Sequence, residues 1–292
     1  MGKGGATLDN NTFYTTRPFT ARYRAVKNCN ILIESVDNTT AVTAEEAAGY
    51  HGFAKTMQAY QLLLVLNMQY NNGIRVDVAD PANLGPFLTY AESLEAIGNL
   101  LDEAKLDLDA AGSEFSFTLS SGFDGFENPA DFTMLNRALA ARVHLYMGHG
   151  ANALMMLSES FIDAGGSMDM GAWHVYSTAG GDAINEMFLP QNSPSADARV
   201  AHPSFIADGE AGDSRLGKAT MRTETAFTDD LSSDYDFWVY TSQSSPISLI
   251  RNEELLLISA EAKILTDDLP GAVGDLNIVR NAAGLGGYSG AM

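Results

Sequence analysis

The sequence predicts a mostly helical fold of paired antiparallel helices, interrupted by one long irregular segment. Apolar residues recur at spacings of three and four through most of the chain, as they do on one face of an α-helix. This period stops between about residues 165 and 245, where Gly, Ser, Asp and Pro become frequent and aromatic residues stand singly. Because loops this long inside a folded chain are usually functional, we expect residues 165–245 to form a ligand face.

Composition limits the classes of partner. The chain has 292 residues, 46% of them hydrophobic, which is enough for a substantial core. Its formal net charge is −20, so its surface is a poor match for nucleic acid, whose phosphates need clustered Lys and Arg. Cys29 is the sole cysteine; it cannot form an intrachain disulfide, and we expect a buried structural thiol.

The N-terminal third is expected to contain a flexible arm and two helices. Residues 1–18 are polar and Gly-rich and form the predicted arm. A helix is predicted over Phe19–Val36. Thr43 is placed to cap the next helix, and Glu46, three residues on, completes a capping box. That helix is predicted to run to about Tyr70.

Three more helices are predicted before the irregular segment. The first is amphipathic and ends before Gly112. Residues 113–129 are expected to be a loop with some strand character in FSFTL, followed by helices at about 130–147 and 151–164. The apolar stripe of the amphipathic helix consists of Leu94, Ile97, Leu101, Ala104 and Leu108.

The C-terminal part returns to helix. One helix is predicted at about 249–266. After a turn at Pro270, a second helix is predicted to run to about Ala283. Residues 286–292 are expected to be a tail, so residues 19–285 form a single predicted domain.

Two predicted hairpins share one internal spacing. In each, two alanines lie twelve residues apart and a leucine follows four residues later: Ala141, Ala153 and Leu157, then Ala260, Ala272 and Leu276. Small residues at such positions let antiparallel helices approach closely, and the leucine would pack into a neighbouring unit, as in tetratricopeptide repeats. The spacing alone leaves a generic helical hairpin open as an alternative.

The segment from Ile247 to Leu285 carries a more specific pattern. It contains an R-x-x-E opening, an AEA triplet in the first helix, and an A-x-x-x-L-N second helix that ends in V-R-x-x-A-G-L. In this order and spacing the segment resembles the SusD/RagB family. The matching residues are Arg251, Glu254, Glu261, Ala272, Leu276, Asn277, Val279, Arg280, Ala283, Gly284 and Leu285. We expect the charged members to pin the helical hairpin through hydrogen bonds.

Looser matches extend the resemblance to roughly residues 20–285. ARYRAVKNCNILIESV and LNRALAARVHLYMG resemble two helices of that family, and NEMFLP, from Asn185 to Pro190, and GDSRLG, from Gly212 to Gly217, resemble two of its loop and strand segments. Family chains are usually longer and begin with a lipoprotein signal that is not found in this sequence.

The resemblance implies a SusD-like fold and a non-catalytic function. Proteins of this family bind oligosaccharides or other nutrients at the outer membrane and pass them to a SusC-like TonB-dependent transporter. We therefore expect a cell-surface location, with membrane attachment only through the lipid anchor of a precursor, and no cofactor. A tetratricopeptide-like protein-interaction scaffold and a carbohydrate-active enzyme remain the alternatives.

A search for catalytic and metal-binding patterns supports the non-catalytic expectation. The sequence contains no H-E-x-x-H, P-loop or G-x-S-x-G motif. Asp230, Asp234 and Asp236 could gather a calcium ion, and a solvated acidic loop is the alternative. We predict no metal site.

The ligand-binding residues are expected among the aromatics of the irregular segment. A Trp or Tyr ring offers a flat apolar face with a polar edge, which suits stacking on sugar rings. Asn192, with Gln243 and Asp236, would bond hydroxyl groups. An open alternative is that FWVY forms a short strand packed on the helices. The predicted aromatic residues are Trp173, Tyr176, Tyr235, Trp238 and Tyr240.

Overall fold

The computed structural model describes residues 13–228 and 231–289. These residues form two compact units. The first, called the helical unit below, comprises residues 13–172 and 250–276. The second, the loop-rich unit, comprises residues 173–228, 231–249 and 277–289.

The expected mostly helical architecture is confirmed. The first five helices pack on one another in chain order, and the fifth also packs on the seventh. Helices built this way bury one apolar face each in a common core. The helices are α1 (Phe13–Asp37), α2 (Ala44–Gln69), α3 (Tyr90–Ala110), α4 (Pro129–Tyr146), α5 (Gly150–Ser158), the short α6 (Ser204–Ala207), α7 (Asn252–Leu265) and α8 (Leu269–Ala282).

Local capping chemistry begins the main helices. The capping box of Thr43 and Glu46 is present at the start of α2, as predicted. Thr89 and Glu92 form a second capping box at α3. These reciprocal bonds satisfy backbone N–H groups that the first helical turn leaves without partners.

The core of the helical unit is aliphatic with a few rings. The predicted apolar stripe of α3, from Leu94 to Leu108, is confirmed, since none of its members is more than 2% exposed. Buried side chains of other helices of this unit include Leu62, Leu66, Phe132, Leu135 and Leu255.

Two polar residues of α4 are also buried in this core. Asn136 donates from Nδ2 to Thr56 Oγ1 at 2.8 Å and to the Leu101 carbonyl at 3.1 Å. Arg137, 2% exposed, donates to the same carbonyl at 2.8 Å and to Asp102 at 2.7 Å. Buried polar groups need such partners, so this pair ties α4 to α2 and α3.

Two local expectations were wrong. The arm predicted over residues 1–18 is helical from Phe13 onward, with Pro18 inside α1; residues 1–12 lie outside the described part. Proline early in a helix removes only one backbone hydrogen bond, which later turns outweigh. FSFTL is not a strand. Its Phe117 ring stacks on Tyr50 and on Phe115, at 4.6 and 4.8 Å.

The two predicted hairpins differ in their last position. Ala141, Ala153 and Leu157 are buried between α4 and α5, as expected. In the second hairpin the alanines are buried, but Leu276 is 37% exposed. The packing of this leucine into a neighbouring unit is therefore not observed.

The loop-rich unit contains short strands, turns and long connections. Strands β2 (Ala219–Thr228) and β3 (Leu231–Phe237) form an antiparallel hairpin in which Thr220 pairs with Asp236, with an irregularity between Met221 and Ala226. Strands β1 (Gly171–His174) and β4 (Ile247–Arg251) form a second two-stranded sheet, whose residues do not all belong to the loop-rich unit. Across the described residues, no helix combines the length and the apolar character that crossing a bilayer requires.

Candidate ligand-binding face

The five predicted aromatic residues all lie in the loop-rich unit and are all half-buried. Trp173 lies on β1 and Tyr176 follows it; Tyr235 lies on β3. Strand β3 ends at Phe237, so Trp238 and Tyr240 lie beyond it and FWVY is not a strand. A half-buried ring keeps part of its surface accessible to a ligand.

Trp238 contacts an aromatic ring of another loop of this unit. Its ring centroid lies 6.2 Å from that of Phe188, with the planes tilted by 55°. Its backbone N–H donates to the Lys218 carbonyl at 2.7 Å. Tyr240 contacts the Phe237 ring edge-on at 5.9 Å. The backbone bond fixes the Trp238 main chain, and the indole lies against Phe188.

Asn185 joins the two loops that carry these rings. It is 1% exposed. Its backbone N–H donates to the Gln243 carbonyl and its Nδ2 to the Ser245 carbonyl, both at 2.7 Å. Its Oδ1 accepts from the Met187 N–H at 2.8 Å. One buried amide thus fixes the loop that carries Phe188 against the loop that follows Tyr240.

Asn192 and Asp236 are engaged within the protein. Asn192 has a φ of 61°, and its Oδ1 accepts from the Thr223 N–H and hydroxyl at 2.7 and 3.1 Å. Asp236 forms a buried ion pair with Arg222 and accepts from the Asn192 N–H at 2.6 Å. The side-chain oxygen of Asn192 is therefore occupied by Thr223.

The acidic segment does not form a metal cluster within the described residues. Asp230 lies outside them. Asp236 is paired with Arg222, and Asp234 accepts from the Thr225 hydroxyl at 2.5 Å. Among residues 13–228 and 231–289, no three or more His, Cys, Asp or Glu side chains are grouped to hold a metal ion.

The GDSRLG segment contains Asp213, whose carboxyl pKa is lowered from its ordinary value. Hydrogen bonds from Arg215, at 2.7 Å between Nη2 and Oδ2, hold the pKa of Asp213 down at about 2. A general acid needs a raised pKa, so Asp213 is not suited to that function.

Sequence reasoning missed Phe188 and Asn185 as members of this face. Both lie in NEMFLP, which was noted only for its resemblance to a family segment. Asn side chains often form hydrogen bonds with the backbone in loops. An Asn followed by an aromatic residue, in a segment without helical period, could therefore have indicated an ordered loop that carries a ring.

Known structures share this architecture at low sequence identity. No protein-family model and no curated protein matches the chain significantly. A SusD superfamily protein from Parabacteroides distasonis superposes with a TM-score of 0.67 at 16% identity, covering 97% of this chain and 70% of that one. A SusD-like carbohydrate binding protein from Bacteroides vulgatus gives 0.62 at 16% identity, covering 98% and 68%.

A third structure, surface glycan-binding protein A from Bacteroides uniformis, gives a TM-score of 0.68 at 16% identity, covering 94% of this chain and 68% of that one. The chain thus matches about two thirds of the length of these proteins. These superpositions show that the chain has the SusD-like fold.

Proposed function

We propose that this protein binds an oligosaccharide without chemically converting it. The observation that carries the proposal is the half-buried Trp238 ring, packed on Phe188 and carried by loops that Asn185 clamps. A fixed aromatic ring binds a sugar with little loss of conformational entropy. Tyr240, Tyr176 and Trp173 supply further rings in the same unit.

The named neighbours support a carbohydrate ligand. One is described as a SusD-like carbohydrate binding protein and another as a surface glycan-binding protein. By analogy of fold, the protein acts at the outer membrane and hands its ligand to a SusC-like TonB-dependent transporter. Its expected cell-surface attachment through a lipid anchor belongs to the same proposal.

An interaction scaffold is the second candidate, and the helical unit does not favour it. Such a scaffold would use a polar groove with paired Asn and Arg side chains. Asn136 and Arg137 are such a pair of neighbours in the helical unit, but both are buried. Their side chains donate hydrogen bonds to Thr56, Leu101 and Asp102. These side chains are therefore unavailable to a peptide.

A glycan array on the purified chain, followed by calorimetry with the strongest ligand, tests the proposal. Trp238→Ala should weaken binding by about 1–3 kcal/mol, as loss of an aromatic hot spot does. Phe205→Ala removes a 40% exposed ring elsewhere in the loop-rich unit and serves as the matched control.

Two outcomes would count against the proposal. If Trp238→Ala binds like the parent while circular dichroism is unchanged, the ligand face lies elsewhere. If the bound glycan is shortened during incubation, and mutation of one carboxylate pair abolishes that reaction, the protein is an enzyme.

A further inference from the structure

We propose that a cleft on the helical unit is a separate binding site for a sugar that carries a carboxylate. The cleft has a volume of about 490 Å³, within the range of small-ligand sites. One face of α1 forms one wall, and the connection between α2 and α3, residues 75–87, forms the other. The site goes beyond the proposed function, because the ligand face described above lies in the other unit.

The connection that forms the second wall is held in shape by its own hydrogen bonds. Ile74 and Leu88 exchange backbone bonds at 3.2 and 2.8 Å, which close the loop at its base. The Gly85 N–H donates to the Asp77 carbonyl at 3.0 Å, and the Arg75 guanidinium donates to the Gly85 carbonyl. The wall is therefore preformed, which lowers the entropy cost of binding.

Arg75 also orients the principal ring of the cleft. Its guanidinium carbon lies 4.4 Å from the centroid of the Phe87 ring. The Arg75 carbonyl accepts from the Tyr23 hydroxyl of α1 at 2.8 Å, so the two walls are joined. Phe87 nevertheless remains 65% exposed, which leaves ring surface open to a ligand.

Four apolar side chains that line the cleft are partly exposed. Phe19 is 37% exposed, Ile31 48% and Leu84 46%, and all three line the cleft together with Phe87. Apolar surface gathered in a concave site indicates binding, since scattered exposed residues need no explanation.

The polar groups of the cleft lie along the same face of α1. Lys27, Asn30 and Glu34 follow one another at spacings of three and four residues. Lys27 has no ion-pair partner among the described residues. Asn30 Oδ1 accepts from Gln58 at 2.9 Å, whereas its Nδ2 is buried and finds no acceptor in the described part of the chain.

Charge favours an anionic group near Lys27. Although the chain carries a net charge of −20, α1 contains Arg17, Arg22, Arg24 and Lys27 and has no acidic residue before Glu34. A carboxylate is thus attracted to the Lys27 end. Glu34 lies about 10 Å further along the helix. Its carboxylate would accept hydrogen bonds from ligand hydroxyl groups and would disfavour a ligand whose other end is purely apolar. Rings for a C–H face, a cation for a carboxylate and an acceptor for hydroxyls together describe an acidic sugar.

Binding of D-galacturonate to the full chain, followed by NMR titration, tests the site; D-galactose and benzoate are the comparison probes. We expect saturable binding of galacturonate and at least about tenfold weaker binding of the other two, because each lacks one of the recognised features. Lys27→Gln and Phe87→Ala should each weaken galacturonate binding by about tenfold.

Matched controls separate the site from general effects. Arg24→Gln removes the same charge from the same helix outside the cleft, and Phe227→Ala removes a ring that is 61% exposed in the other unit. Both variants should bind galacturonate within about twofold of the parent. Trp238→Ala should do the same, so loss of glycan binding in that variant would bear on the ligand face of the loop-rich unit and not on this cleft. Absence of galacturonate binding, equal binding of benzoate, or unchanged binding by Lys27→Gln would overturn the proposal.

Discussion

Arg142 of α4 grips the carboxylate of Glu254 of α7 with two parallel hydrogen bonds, from Nε at 2.6 Å and from Nη2 at 2.8 Å. The Arg142 side chain is 8% exposed and that of Glu254 is 37% exposed. The charged residues of this segment were expected to pin their own hairpin. Glu254 instead ties that hairpin to α4, while Arg251 pairs with Asp169 and Glu253.

Glu254→Ala should lower the free energy of unfolding by about 1–3 kcal/mol, because it leaves the buried Arg142 guanidinium without its carboxylate; partial exposure of Glu254 keeps the loss below that of a fully buried pair. Asp109→Ala, which removes an exposed partner of Lys105, is the control and should cost less than about 0.5 kcal/mol. Urea unfolding with equal m-values measures both. Equal losses in the two variants would show that the bidentate pair adds nothing.

Asn185→Ala should destabilise the loop-rich unit by about 1–3 kcal/mol, since it leaves the Ser245 carbonyl and the Met187 N–H without partners. Hydrogen exchange of the amides around Trp238 should accelerate in the same variant. Asn281→Ala, at an exposed position of α8, provides the control. Unchanged exchange around Trp238 would refute the clamping function.

Asp213 should titrate with a midpoint of about 2, because hydrogen bonds from Arg215 lower its pKa below the ordinary value near 3.9. A lowered pKa in the folded state adds stability that is complete above about pH 4 and is lost as the pH falls through about 2. Carboxyl-carbon NMR measures the midpoint, and Arg215→Gln should return it toward 3.9. A parent midpoint near 3.9 would contradict the assignment.

Gly73→Ala should be strongly destabilising, by about 2 kcal/mol or more, because Gly73 has a φ of 68° and an added Cβ would lie 1.9 Å from the Leu88 carbonyl oxygen. Gly274→Ala, in α8 and with no atom within 4 Å of the new Cβ, should instead add about 0.5–1 kcal/mol. Thermal unfolding compares the two variants. A mild effect at Gly73 would mean that the loop between α2 and α3 can shift.

Several elements were predictable because their causes are local. The capping box at Thr43 depends on a residue three positions away, and the buried stripe of α3 follows from the 3.6-residue helical period. The loss of period after about residue 165 marked the region that became the loop-rich unit. The helical start at Phe13 was missed, since proline normally signals a helix boundary.

By itself, the sequence determined the helices, their caps, the apolar faces and the irregular region that holds the aromatic residues, because neighbours within one or two helical turns set these features. Only the tertiary structure decided which side chains meet: Glu254 with Arg142, 112 residues away, and Asn185 with Ser245, 60 residues away. The tertiary structure also decided that the side-chain oxygen of Asn192 accepts a hydrogen bond from Thr223. Contacts at such separations arise from the packing of whole elements, which no local period encodes.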